Sequence, residues 1–291
     1  MNLSEKLYHL PKPKQEEIAK ALEIILEVAN PEKVILFGSF VKDKWVDDIT
    51  VEDGVTYHYQ SDFDFLVVTK DNSVKEYELK SKIENKALNR VNGIVNVLVH
   101  SIDYINEGLN FGQYFFKQIV EEGIILFDLE KSAFISPTEL SPKVLKDRAV
   151  EYFGIWFPMA SEFLIDAKAA YSRNSLRVSN FHLHQALEHF YASLLLVFTG
   201  YKPKSHNLQN LRDYSKNLSF ELYYIFYDPE DSELESKIFK CLKKGYIEAR
   251  YHKDYFIEPE LVKEMIHKLD KVKSLVEKLC KEKINKLSLL V

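Results

Sequence analysis

A change of period partway along the chain limits what it can fold into. Up to about residue 128, short apolar runs of strand length alternate with helical periods; beyond Pro142 only helical periods remain. Residues 34–37, 63–68, 94–99 and 124–127 read as strands. Ile18, Leu22, Ile25 and Leu26 recur at helical spacing until Asn30-Pro31 stops them, and 74–91 and 113–122 read as further helices. Val51, Val55, Tyr57 and Tyr59 predict a hairpin turning near Gly54. This alternation argues an α/β domain. Pro137 and Pro142, among small polar residues, place a boundary over 132–142. The expected layout is therefore an α/β domain at 1–131, a linker at 132–142, and an all-α domain at 143–291. Helices at about 143–173, 177–199, 207–217, 231–251 and 258–288 make the second domain an antiparallel bundle by pattern.

Charge narrows the partners. A net charge of −5 gives no basic footprint, so RNA or DNA is not the favoured partner. The two cysteines, Cys241 and Cys280, have neither metal nor disulfide spacing, which fits a reducing compartment. The polar start, Met1 to Gln15, does not read as a signal peptide, and the apolar stretch near 192–198 is too short to span a bilayer. The expectation is a cytoplasmic protein with no membrane partner.

The first candidate site joins Gly38-Ser39 to Ser61-Asp62-Phe63-Asp64. A glycine after a strand lets the backbone approach a phosphate, and a helix beginning beyond it offers unpaired N–H groups. Asp62 and Asp64, one residue apart on an extended segment, point the same way. Two carboxylates on one face repel unless a cation lies between them. Magnesium suits that place, since it takes a few carboxylates together with substrate phosphates. These parts describe phosphoryl or nucleotidyl transfer.

Leu36-Phe37-Gly38-Ser39 with Ser61-Asp62-Phe63-Asp64-Phe65-Leu66-Val67-Val68 resembles the polymerase-β-type nucleotidyltransferase superfamily, in its minimal nucleotidyltransferase branch, over about residues 14–128. The resemblance implies that Gly38 and Ser39 hold nucleotide phosphates, that Lys42 assists them, and that Asp62 and Asp64 bind Mg2+ (or Mn2+), with a nucleoside triphosphate as substrate. The sequence departs from the family at two points. Residues 40–61 intervene where about ten residues are usual, and Asn96 stands where a third catalytic carboxylate is expected.

In the second half, Phe181-His182-Leu183-His184-Gln185-Ala186-Leu187-Glu188, Lys202-Pro203-Lys204-Ser205-His206 and Glu248-Ala249-Arg250-Tyr251-His252-Lys253-Asp254-Tyr255 resemble HEPN helical domains over about 143–288. Such domains often accompany minimal nucleotidyltransferases, in toxin–antitoxin systems among others, and the two-domain layout is similar to that of the kanamycin nucleotidyltransferases. The resemblance implies a homodimer through the helical domain and a groove bearing Arg250, Tyr255 and His206. Many HEPN domains are ribonucleases in which an arginine is followed by a histidine, but here Tyr255 takes the histidine's place. A tyrosine with its ordinary pKa of about 10 is a poor acid–base near neutral pH. His182, His184 and His189 read as packing residues. The leading expectation is a magnesium-dependent nucleotidyltransferase that moves a nucleoside monophosphate to an acceptor hydroxyl, slowed by Asn96; Glu188 is named as a base the second domain could lend. The alternatives are a nucleotide-binding regulatory module without turnover, and a ribonuclease toxin fused to its antidote.

Overall fold

A computed structural model describes residues 3–41, 45, 47–52, 55–71, 73, 75–203, 206–216, 218–226 and 232–291. The chain divides into two compact units, Met1–Glu139 and Leu140–Val291.

The first unit contains α1 (Leu3–Lys6), α2 (Lys12–Ala29), β1 (Lys33–Phe37), β2 (Asp47–Glu52), β3 (Val55–Gln60), β4 (Phe63–Thr69), α3 (Glu76–Ala87), β5 (Val95–Ser101), α4 (Ile102–Asn110), α5 (Tyr114–Glu122) and β6 (Ile124–Asp128). Local sequence explains the ends of α2. Pro13 sits in its first turn, where a missing N–H costs nothing, and Asn30 ends it in the left-handed conformation at φ 44°. A four-stranded mixed sheet runs in the order β5-β4-β1-β6. β4 and β5 are parallel, while β1 is antiparallel to both β4 and β6. The predicted hairpin is present as a separate antiparallel pair, β2 with β3.

Alternation along the strands sorts side chains onto two faces. Val34, Leu36, Phe63, Phe65, Val67, Val97 and Val99 form one core with Ile18, Ile25, Leu79 and Ile83 of α2 and α3. Ile35, Leu66 and Leu98 point the other way and are equally buried, on the side where α4 and α5 meet β5 and β1. All seven residues of β4 are buried, which is why Phe65-Leu66-Val67-Val68 within it reads as a continuous apolar run. Charged side chains close the open edges: Glu84 accepts from Val97 N–H at 3.2 Å on β5, and Lys6 Nζ donates to Ile125 O at 2.7 Å on β6.

The second unit contains α6 (Pro142–Ser172), α7 (Leu176–Thr199), α8 (Leu208–Lys216), α9 (Phe220–Tyr224), α10 (Ser232–Lys244), α11 (Glu248–Tyr251) and α12 (Pro259–Ser288). Ser141 caps α6 through Val144 N–H, and Gly200 closes α7 at φ 67°. α7 lies at the centre. Leu183, Leu187, Phe190, Tyr191 and Leu194 are fully buried against α6 and α12, with Met265, Leu269, Val272 and Val276 from α12. The single helix expected over 231–251 is two. The chain breaks at Gly245, where an added Cβ would lie 2.7 Å from Asn180 O, so the turn passes directly against the α7 backbone. Among the described residues, no helix is long and apolar enough to cross a membrane.

Candidate functional site

The sheet brings the predicted residues of the first site to one end. Register sets Phe37 opposite Asp64, and Asp64 opposite Asn96. Gly38, directly after β1, therefore meets Asp64, which opens β4. Gly38 has φ +83°, and a Cβ built on it would lie 2.5 Å from Asp64 Oδ2. Only glycine both adopts that backbone and leaves the carboxylate room. Asp64 is buried to 7% exposure, and Asp62 is half-buried just before the strand. Ser39 lies in one turn of 3-10 helix, Gly38–Phe40. The helix expected after the turn is thus a single tight turn as far as Val41; Lys42 lies outside the described residues.

Asn96 Nδ2 donates to Asp64 Oδ1 at 2.9 Å, and Asn96 Oδ1 accepts from Lys80 Nζ at 3.2 Å. These partners fix the orientation of the amide, because an ionised carboxylate only accepts and an ammonium only donates. Lys80 also pairs with Glu84 at 3.2 Å. Sequence reasoning named Asn96 but missed Lys80, which sits on α3, sixteen positions away, and reaches the edge strand β5. Its one sequence signal is the spacing of Lys80 and Glu84, one helical turn apart.

In the second unit Arg250 and His206 both lie against the Tyr246 ring, while Tyr255 lines another cleft. Tyr255 lines a cleft of about 840 Å³ with Lys237, Lys240, Cys241, Lys244 and His252. Its hydroxyl bonds to the amide of Asn180, which also donates to Cys241 O at 2.9 Å. Burial pushes the Tyr255 hydroxyl up to about 12, farther from acid–base use near neutral pH. Arg250 Nε donates to Tyr246 O at 2.5 Å, and its guanidinium lies 4.3 Å from the Tyr246 ring centre and 5.4 Å from that of Phe181. His206 lines a different cleft, of about 350 Å³, with His184, Lys243 and Tyr246, and stacks on Tyr246 at 4.8 Å. Side-chain pairing that sequence spacing does not show sets these places: Asn180 holds Tyr255, and the Tyr246 ring is shared by Arg250 and His206.

Glu188, 3% exposed, accepts from His206 Nδ1 at 3.0 Å. His184, one turn before it on α7, donates from Nδ1 to Leu242 O at 2.9 Å, and burial lowers its pKa. His189 packs at a tilt against Trp156 and Phe163, and His182 against Phe163. Among the described residues, no group of three or more histidine, cysteine, aspartate or glutamate side chains could hold a metal ion.

Residues 153–279 match the family model described as the HEPN domain, so the helical unit contains a HEPN domain. No curated protein matches the chain.

Proposed function

We propose that the sheet unit is a magnesium-dependent nucleotidyltransferase site that binds a nucleoside triphosphate and passes its monophosphate slowly to an acceptor hydroxyl, of a small molecule or a protein side chain, the bond between the α- and β-phosphates breaking so that pyrophosphate leaves and the hydroxyl gives up its proton. The observation that carries this reading is the meeting of Gly38 and Asp64, where the glycine leaves a cradle that a Cβ would fill. The residues fit the metal: half-buried Asp62, just before β4, and buried Asp64, its second residue, supply two carboxylates, a number magnesium takes alongside substrate phosphates. When bound, the ion supplies charge neutralisation at the phosphates and polarises the attacking oxygen.

This chain's own residues do the rest. Gly38 brings the turn close to the phosphates and Ser39 offers a hydroxyl to them. Asp64 is held in place by Asn96. Asn96 cannot take the acceptor's proton, because an amide has no basic site near neutral pH. Loss of a placed general base lowers the rate on the order of 10²–10⁴. The test is transfer of a label from the α-phosphate of a triphosphate to a panel of hydroxyl acceptors. Slow, magnesium-dependent transfer by the full chain, lost in Asp62→Asn, is the expected result. Undiminished transfer by that variant contradicts the reading.

A second reading, a nucleotide-binding module without turnover, is favoured by one observation: the amide oxygen of Asn96 is turned to Lys80. In the same assay it gives bound nucleotide and no transferred label.

For the helical unit we propose homodimerisation. Ile155 and Met159, one turn apart on α6, are 50% and 47% exposed, an apolar stripe that a partner would cover. Light scattering is expected to give twice the chain mass of 34.1 kDa; a monomer at micromolar concentration contradicts it. Ribonuclease chemistry through Arg250 and Tyr255 is not proposed, since both side chains are engaged within the unit.

A further inference from the structure

Nucleotide binding as such leaves Lys80 without a role. Its side chain is 17% exposed, and its ammonium lies 3.2 Å from both Asn96 Oδ1 and Glu84 Oε1. Glu84 is in turn fastened to the β5 edge by Val97 N–H at 3.2 Å. A lysine serving only an exposed helix pair would gain little by it and would have no need of a strand residue. Here the same ammonium closes a chain that ends on the buried carboxylate: Lys80 to Asn96, then Asn96 to Asp64 at 2.9 Å. Glu84 keeps the lysine at the edge of β5, and the lysine keeps the amide turned so that its N–H, not its oxygen, faces Asp64.

We infer that Lys80 is a positioning residue that acts through Asn96 as the built-in cation of the nucleotide site. The inference rests on the nucleotidyltransferase reading above. At the place where a carboxylate of β5 would require a metal ion to offset its charge, this chain sets an amide backed by an ammonium. The nucleotide would then need only the ion that Asp62 and Asp64 would hold. It follows that Asn96→Asp alone does not create a metal ligand, because Lys80 lies within reach to neutralise the new carboxylate. Restoring a metal-binding third carboxylate takes Asn96→Asp together with Lys80→Met.

The test is calorimetry of ATP and GTP binding to the full chain across a magnesium series above the concentration that saturates the nucleotide. The affinity of the unaltered chain is expected to stay level across the series, and that of Asn96→Asp likewise. The double variant Asn96→Asp/Lys80→Met is expected to bind more tightly as magnesium rises, by roughly tenfold, the order of one added charge interaction in a partly solvated cleft. Lys80→Met alone is expected to weaken binding by about tenfold on the same grounds. Lys80→Arg is expected to restore it, and Glu84→Gln, which leaves the Lys80–Asn96 bond in place, to keep the level profile. These last two variants hold the proposal to account should Lys80→Met fail to fold. A rising profile for the unaltered chain, a rise in Asn96→Asp equal to that of the double variant, or no change in Lys80→Met each overturns the inference. If Asp64→Asn loses binding while Lys80→Met does not, only the role of Lys80 falls. If Asp64→Asn binds as the unaltered chain does, or if neither triphosphate binds the unaltered chain, the nucleotide reading falls and takes this inference with it.

Discussion

The two units carry polar motif residues of similar promise and treat them differently. In the helical unit, Tyr255 is tied to Asn180, Arg250 lies against its own helix turn and Tyr246, and His206 is held by Glu188. In the sheet unit, Gly38, Asp64 and Asn96 are brought together by strand register, and Asn96 connects them to Lys80. In a helical motif side-chain partners decide which members meet: Tyr246 takes both Arg250 and His206, and Asn180 takes Tyr255. Adjacent strands leave no such choice, because pairing fixes which residues stand side by side.

The largest test of this contrast is of packing. Phe65→Ala in the sheet unit and Phe190→Ala in the helical unit each remove a fully buried ring. Each is expected to cost about 3–5 kcal/mol, read by urea unfolding. A cost below about 1 kcal/mol in either would show that unit's core to be looser than its burial implies. Next comes Gly38→Ala. The φ of +83° and the 2.5 Å approach to Asp64 Oδ2 predict a loss of about 1–3 kcal/mol, with nucleotide binding lost as well. Binding retained by Gly38→Ala would detach the turn from the site.

A smaller effect concerns Tyr255. Its hydroxyl titrates at about 12 in the folded chain and at about 10 when unfolded. The raised value favours the protonated, folded form, so its contribution is complete below about pH 10 and fades as pH rises toward 12. Tyr255→Phe should flatten that alkaline decline while leaving triphosphate binding unchanged. An unaltered decline would mean that other groups govern it.

Much of the sheet was legible in the sequence because β4 and β5 carry the apolar runs Phe65-Leu66-Val67-Val68 and Val97-Leu98-Val99, interrupted by few polar residues. The division at Glu139 falls among the prolines and small residues that interrupt both periods. Asn96 is marked in the sequence because it stands where the family it resembles carries a third carboxylate on a later strand; that it lies beside Asp64 follows from the register of β4 and β5. Other features were hidden for physical reasons. Helix α4 follows β5 with no loop, Ser101 serving both as the last strand residue and as the N-cap, so no turn signal announces it. The break between α10 and α11 lies inside a continuous helical period, and only the approach of Gly245 to the α7 backbone explains it. Lys80 was out of reach because its role depends on α3 lying along the edge of β5, a tertiary fact. The meeting of Arg250 and His206 at Tyr246, with Tyr255 held by Asn180, was illegible for the same reason: those partners lie on other turns or helices.

The central claim, that the end of the sheet is a metal-dependent nucleotide site built on Asp64, is tested most directly by titrating a triphosphate into the full chain and into Asp64→Asn, with magnesium and with chelator. The account predicts binding by the unaltered chain in magnesium alone and none by the variant. Equal binding by Asp64→Asn, or binding by the unaltered chain that persists in chelator, would contradict it.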